Sequence, residues 1–443
     1  MKFNITYLRL AFLFSAVFFI WVKGFSQKEK DVNTFFKFLE EKNYSKAHLM
    51  FESSIILQFP EGKFIEAWEI TLASLGELKQ YKYKCIETNQ KNSVYYYDVI
   101  FSNSSVIFKV ISNEENNIIG FFVTQDSPCT SKYVLPKYTN TKAYSEKDTI
   151  LKNNNLNIKS KIIIPKVTVS KIVCIILSGS GPQDIDSSIR ANKPLKDLAV
   201  GLGSKGISSI RFDKRETNFS LDKDSITIDD EYKNNILSII SYLKTDRVFH
   251  EYKIFLIGHS LGGMITPRIA NEVENIDGAI LMAANFRPLE DLILEQTKYL
   301  LSIDSTTSTV DKNNCLEKLE VKLDYLKDSL SLNLNPTKLP LNIPASYWLS
   351  LKKYNLSNII NRKGIKKPML VLWGEKDYLV RERDFNLYKN YFQNEKNKFI
   401  SYPELNHIFI KSDNSMSPQE YSNFGNIPEY VIDDIIMWLK INN

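Results

Sequence analysis

Lys253-Ile254-Phe255-Leu256-Ile257-Gly258-His259-Ser260-Leu261-Gly262-Gly263 decides how the rest of the chain is read. Its first half is an apolar, β-branched run that fits a strand buried on both faces. Its second half leads into a helical pattern from Leu261 to Asn271. A strand that turns directly into a helix leaves Ser260 at the apex, with Gly258 and Gly262 removing the Cβ atoms that would crowd so tight a turn. Glycine is scarce, 16 in 443 residues. Five of those glycines stand here and in Ser178-Gly179-Ser180-Gly181, so the two stretches call for a local reason.

Outward from this point, short apolar segments alternate with helical ones. Strands are expected at Ile162–Ile164, Lys171–Leu177, Ile207–Phe212, Lys253–Gly258, Ala279–Met282, Met369–Trp373 and Lys398–Tyr402. Helices are expected at Pro194–Gly203, Asp229–Lys244, Leu261–Asn271, Asp384–Phe392 and Glu429–Ile441. Near-continuously apolar strands separated by helices imply an α/β fold, a doubly wound and mostly parallel sheet covered on both faces. The interval from about 285 to 366 breaks the rhythm with two helical patterns, Leu289–Leu301 and Cys315–Leu330, and is too long for a structureless loop. It reads as an inserted helical cap.

Ahead of this region, Asp31 to Gly76 is helical in pattern, with Phe35, Phe36 and Leu39 on one face. Four segments of strand composition follow, up to Val123. The chain therefore reads as a leader over 1–26, a small α+β domain over 27–131, a linker and edge strand over 132–155, and the α/β domain over 156–443. In the leader, Lys2 and Arg9 precede an apolar run from Leu10 to Val22 that ends at Lys23, short of the ~20 residues a membrane-spanning helix needs. Gly24-Phe25-Ser26 offers small residues for cleavage, so export to a periplasmic or extracellular compartment is expected and no stable membrane span. Of the four cysteines, Cys174 lies in an apolar strand, and Cys85 and Cys129 share the small domain, where an oxidising compartment would permit them to pair. Overall, 57 basic against 51 acidic residues give +6. Without Lys2, Arg9 and Lys23 the balance is 54 against 51, which leaves no basic footprint for nucleic acid.

A serine hydroxyl needs a base, and only His48, His250, His259 and His407 are available. His48 belongs to the small domain, His250 precedes the strand at its far end, and His259, adjacent to the serine, is expected to point elsewhere. His407 follows the strand Lys398–Tyr402, at the carboxyl edge where sites assemble in open parallel sheets. The Gly258–Gly262 turn resembles the serine turn of α/β hydrolases, which implies an acid between serine and histidine in chain order. Asp377, in Trp373-Gly374-Glu375-Lys376-Asp377, fits. Glu375 is the rival, and being two residues nearer the strand it is expected to point into the turn. Ser178-Gly179-Ser180-Gly181-Pro182-Gln183-Asp184 lacks the third glycine of a dinucleotide loop. The stretch resembles the loop that supplies an oxyanion donor in α/β hydrolases, which implies the backbone N–H of Ser180 alongside that of Leu261 as an oxyanion hole. No H-E-x-x-H or C-x-x-C spacing occurs, so neither metal nor cofactor is expected.

Taken in order, Ser178–Asp184, Arg211-Phe212-Asp213-Lys214-Arg215, the Ser260 turn, Trp373–Asp377 and Leu405-Asn406-His407 resemble the α/β-hydrolase family of bacterial esterase type. The front domain resembles the small helical-plus-sheet unit that often precedes such enzymes. Glu216 departs from the glycine usual in relatives. The resemblance implies a serine hydrolase acting on a small-molecule ester or other acyl substrate, with Ser260, Asp377 and His407 as triad and Asp213–Arg215 as an ion pair beneath the site. Peptidase, thioesterase and acyltransferase use the same triad, and a non-catalytic binding protein on a hydrolase scaffold is the rival of another class. The cap residues Tyr347, Trp348 and Leu349 fit either substrate walls or a packed cap core. Oligomeric state is not legible.

Overall fold

The computed structural model describes residues 25–88, 92–102, 104–124, 133–153, 156–181, 183–214, 226–305, 307–329, 334–356 and 364–443. The chain divides into two compact units, residues 1–132 with 300–308, and 133–299 with 309–443.

In the first unit, helices α1 (Phe25–Glu40), α2 (Tyr44–His48), α3 (Ser53–Gln58) and α4 (Glu61–Leu75) precede four strands. These are β1 (Leu78–Thr88), β2 (Ser93–Phe101), β3 (Ser105–Ser112) and β4 (Ile118–Thr124), paired antiparallel in sequence order. The core is aromatic: the Phe36 ring lies 4.7 Å from Tyr97, and Phe108 stacks on Phe121 at 4.6 Å. Such pairs add about 0.5–1.5 kcal/mol beyond their burial. His48 is buried with Nε2 2.8 Å from the Phe59 carbonyl, a structural contact. Cys85 is disulfide-bonded. Cys129, its expected partner, lies outside the described residues, as does the leader up to residue 24.

The second unit is built on eight strands, β5 (Tyr144–Asn153), β6 (Leu156–Pro165), β7 (Ile172–Leu177), β8 (Ser208–Phe212), β9 (Lys253–His259), β10 (Gly278–Met282), β11 (Met369–Gly374) and β12 (Lys398–Tyr402). Their spatial order is β12-β11-β10-β9-β7-β8-β6-β5, with β6 antiparallel to both its neighbours, β5 and β8, and the other pairings parallel. The unbroken apolar runs follow from burial on two faces. Val173, Ile175 and Leu177 join one core cluster while Ile172, Cys174 and Ile176 join the other. β9 divides the same way, Ile254 and Leu256 to one side, Phe255 and Ile257 to the other. Truncating any one, for example Leu256→Ala, removes about 2–5 kcal/mol.

Around the sheet the described α-helices are α5 (Pro194–Ser204), α6 (Asn234–Thr245), α7 (Leu261–Glu272), α8 (Leu289–Ile303), α9 (Thr309–Ser329), α10 (Ala345–Lys352), α11 (Glu382–Tyr391) and α12 (Glu429–Ile441), with α8, α9 and α10 inside the expected cap. Tyr347 and Trp348 are buried, and the Tyr347 hydroxyl donates to Glu231 at 2.9 Å, so this part of the cap is packed core. From β7 the chain goes to β8 on one side, then returns to place β9 on the other. That reversal opens the crevice in which doubly wound sheets bind ligands, and the loops after β7 and β9 both emerge there.

Candidate active site

Ser260 stands between β9 and α7 with φ 53° and ψ −121°, a conformation that costs a non-glycine residue about 1–3 kcal/mol. Close packing fixes it. A Cβ on Gly258 would lie 2.4 Å from the Gly262 carbonyl oxygen, and one on Gly262 would lie 2.4 Å from that of Ser178. The Ser260 N–H donates to Met282 O at 2.9 Å, and Ser260 O accepts from Met264 N at 2.9 Å. The serine is thereby held above the N-terminus of α7, where the free N–H groups and the helix dipole favour negative charge. Leu261 is the first residue of that helix.

The expected acid and base meet. Asp377 Oδ2 lies 2.7 Å from His407 Nδ1, and both residues are buried. Asp377 Oδ1 accepts from the N–H groups of Leu379 at 2.8 Å and Val380 at 2.9 Å, which fixes the carboxylate plane. Glu375 turns away, accepting from Ser401 Oγ at 2.8 Å. The loops carrying the pair are stitched together: Lys376 N donates to Leu405 O at 2.9 Å, and a Cβ on Gly374 would sit 2.3 Å from Leu405 O. Asn406 is fully buried, its Oδ1 accepting from Ile408 N at 3.2 Å and Ile410 N at 3.3 Å.

His259, expected to point elsewhere, reaches the loop of the base. Its Nε2 lies 2.8 Å from the backbone carbonyl of His407, and the two rings are 4.8 Å apart. Burial, with His407 beside it, pushes the His259 imidazole down to about 3, so the ring is neutral. A neutral ring facing a carbonyl must carry its proton on Nε2. Among the described residues no hydrogen bond joins Ser260 Oγ to His407. In resting serine enzymes that contact is often long and tightens when substrate is held.

The loop after β7 closes the other side. A Cβ on Gly179 would lie 3.2 Å from Ser260 Cβ and 3.4 Å from His259 Nδ1, which puts the Gly179–Ser180 peptide beside the serine. Beyond it, Asp184 Oδ1 accepts from Asp186 N at 3.2 Å and Ser188 N at 2.7 Å. Asp186 pairs with the buried Arg211, which also binds Glu146. The expected partner of Asp213, Arg215, lies outside the described residues, as does Glu216. The cation packed under the loop is Lys214, a residue of the Arg211–Arg215 motif to which the sequence assigns no role there: its Nζ is 2.8 Å from Gly179 O. Its burial by distant residues leaves no local sequence signal. Among the described residues no group of three His, Cys, Asp or Glu side chains is placed to hold a metal ion, and no helix is long and apolar enough to cross a membrane.

Comparison with known proteins finds hydrolases. Residues 195–413 match the family described as "serine aminopeptidase, S33", and residues 32–121 match a "protein of unknown function" family, DUF3887. The chain is 29% identical over 425 residues to "Esterase EstD" of Thermotoga maritima, covering 95% of this chain and 97% of that protein. The chain is a serine hydrolase of the α/β-hydrolase fold. Among solved structures, this hydrolase overlaps Est1E from Butyrivibrio proteoclasticus at 15% identity with a TM-score of 0.43, covering 67% of this chain and 98% of that one. It overlaps the Pyrococcus furiosus esterase Pf2001 at 16% identity with a TM-score of 0.41, covering 70% and 98%.

Proposed function

We propose that this hydrolase cleaves carboxylic esters of small molecules through an acyl-enzyme on Ser260. The observation that carries the reading is the buried Asp377–His407 pair at 2.7 Å, set beside a serine in a strained strand-to-helix turn. Asp377 holds His407 in the tautomer with the proton on Nδ1, which leaves the Nε2 lone pair to act as base. Ser260 Oγ forms a bond to the substrate carbonyl carbon as its proton passes to Nε2, and the carbonyl π pair moves onto oxygen. The N–H groups of Leu261 and Ser180 receive that oxyanion. Its collapse expels the alcohol, which takes the proton from Nε2, and water repeats the sequence to release the acid and restore Ser260.

The extended likeness to a protein named as an esterase supports ester over amide cleavage, and a panel of substrates tests it. Short- to long-chain p-nitrophenyl esters are expected to turn over, and Ser260→Ala to lose activity by several orders of magnitude. Faster release of p-nitroaniline from aminoacyl amides than of p-nitrophenol from the esters would favour the peptidase reading instead.

Export belongs to the same proposal. The apolar leader and the disulfide at Cys85 support an oxidising, non-cytoplasmic compartment. Fractionation of the native host checks it, with a cytoplasmic full-length protein as the contrary result.

A further inference from the structure

Lys214 is fully buried, and its ammonium meets three acceptors: Gly179 O at 2.8 Å, Tyr232 Oη at 2.7 Å and Glu231 Oε2 at 3.4 Å. Three acceptors match the three N–H donors of a charged lysine. The Tyr232 hydroxyl accepts from Lys214 and turns its own proton to Gly179 O at 2.8 Å and Ser178 O at 3.1 Å. The same Glu231 Oε2 also accepts from the Tyr347 hydroxyl at 2.9 Å. Glu231 and Tyr232 both belong to a π-helical turn, Asp229–Lys233, of the kind often found at functional sites. Two donors, one of them cationic, therefore converge on a single carbonyl in the loop that borders Ser260.

That carbonyl shares its peptide unit with the N–H of Ser180. A trans peptide is planar, with C=O and N–H pointing in opposite directions, so gripping the oxygen sets where the hydrogen points. A cation on the oxygen also draws electron density from the nitrogen and makes the N–H a stronger donor, as in other polarised hydrogen-bond chains. The Gly179 position, 3.2 Å from Ser260 Cβ when given a Cβ, puts this peptide against the nucleophile. Desolvating an ammonium is costly, and apolar packing would stabilise the same space at least as well.

We propose that Lys214 is a positioning residue for the oxyanion hole: with Tyr232 it holds and polarises the Gly179–Ser180 peptide so that the Ser180 N–H faces the developing negative charge. This rests on the reading of Ser260 as nucleophile. Lys214 touches neither substrate nor Ser260, and acts through the backbone.

The test compares the full-length wild type with Lys214→Met and Tyr232→Phe. Each is titrated with a fluorophosphonate, so that rates are expressed per active serine. A trifluoromethyl ketone, which forms a tetrahedral oxyanion adduct with the serine, then reports on the hole. Lys214→Met is expected to lower kcat per titrated site about 100-fold, the scale of losing one oxyanion donor, with KM little changed. Trifluoromethyl ketone affinity is expected to weaken by the same factor as kcat/KM. Tyr232→Phe, which removes one of the two donors to Gly179 O, is expected to move both quantities together by roughly tenfold. A merely structural role would lower the melting temperature and leave kcat per titrated site and ketone affinity unchanged, and that result overturns the proposal. If Lys214→Met yields no folded protein, Tyr232→Phe decides by the same two readouts. A wild type that the fluorophosphonate does not label overturns the underlying reading itself, a result distinct from unchanged variants of a labelled enzyme.

Discussion

His259 Nε2 donates to the backbone carbonyl of His407 at 2.8 Å, so the residue before the serine steadies the loop that carries the proposed base. It ties the end of β9 directly to the loop after β12. His259→Ala leaves a buried carbonyl without that donor, which typically costs about 1–3 kcal/mol. We expect kcat for ester hydrolysis to fall roughly tenfold or more, with Asn at the same position restoring part of it because its amide can donate. Steady-state kinetics on the two variants checks the ordering, and equal rates in Ala and wild type would remove His259 from the account.

The same ring makes stability depend on acid. Its folded value of about 3 lies below the ordinary histidine range near 6.5 because of burial and the neighbouring His407. Between those limits the unfolded chain binds a proton on this ring that the folded chain refuses. The contribution is thus complete above about pH 6.5 and falls as pH drops toward 3, by up to about 1.4 kcal/mol per pH unit. Urea midpoints measured from pH 7 to 4 should decline less steeply in His259→Asn than in wild type. Parallel curves would show that the ring does not titrate differently in the two states.

Asp377→Asn is expected to fold, because Oδ1 can still accept from Leu379 and Val380. It cannot hold His407 with the proton on Nδ1, and kcat should fall by about 10³–10⁴. Unchanged circular dichroism together with that loss distinguishes tautomer control from unfolding. Retention of most activity would return the acid role to another carboxylate, Glu375 being the first to try.

Gly374→Ala tests how the base is positioned. A Cβ there would lie 2.3 Å from Leu405 O and 2.8 Å from Asn406 O, so the loop before His407 must shift. Even a 1 Å displacement near the chemistry can cost about 100-fold. We expect kcat to drop by about that factor, with a smaller loss in melting temperature than Leu256→Ala produces.

A thiol count on denatured, unreduced protein should find two groups, matching the free Cys174 and Cys315. Four would mean that Cys85 is reduced in the isolated protein.

The central strands β7, β9, β10 and β11 were legible because each buries alternate residues in two clusters, which leaves few polar positions to break the run. Ser260 and Asp377 were singled out because they follow such strands at their carboxyl ends, and His407 because it follows the half-buried strand β12. The strand Tyr144–Asn153 was harder to see: its side chains are mixed and largely exposed, and its order comes from pairing with Leu156–Pro165. Lys214 was hidden for a different reason. Its partners are a turn 17 residues on, the loop after β7, and through Glu231 a tyrosine from the cap, 116 residues beyond Glu231. No local pattern encodes a buried charge whose acceptors are assembled by tertiary packing. His259 could have been suspected from its place beside the serine, but its target, a backbone carbonyl, carries no sequence identity.

Mass spectrometry of the full-length protein after fluorophosphonate treatment tests the central claim most directly. One adduct per chain, located on Ser260 and lost or strongly slowed in His407→Ala, is the predicted result. A folded protein that takes no label, or that is labelled at another serine with Ser260 untouched, would contradict it.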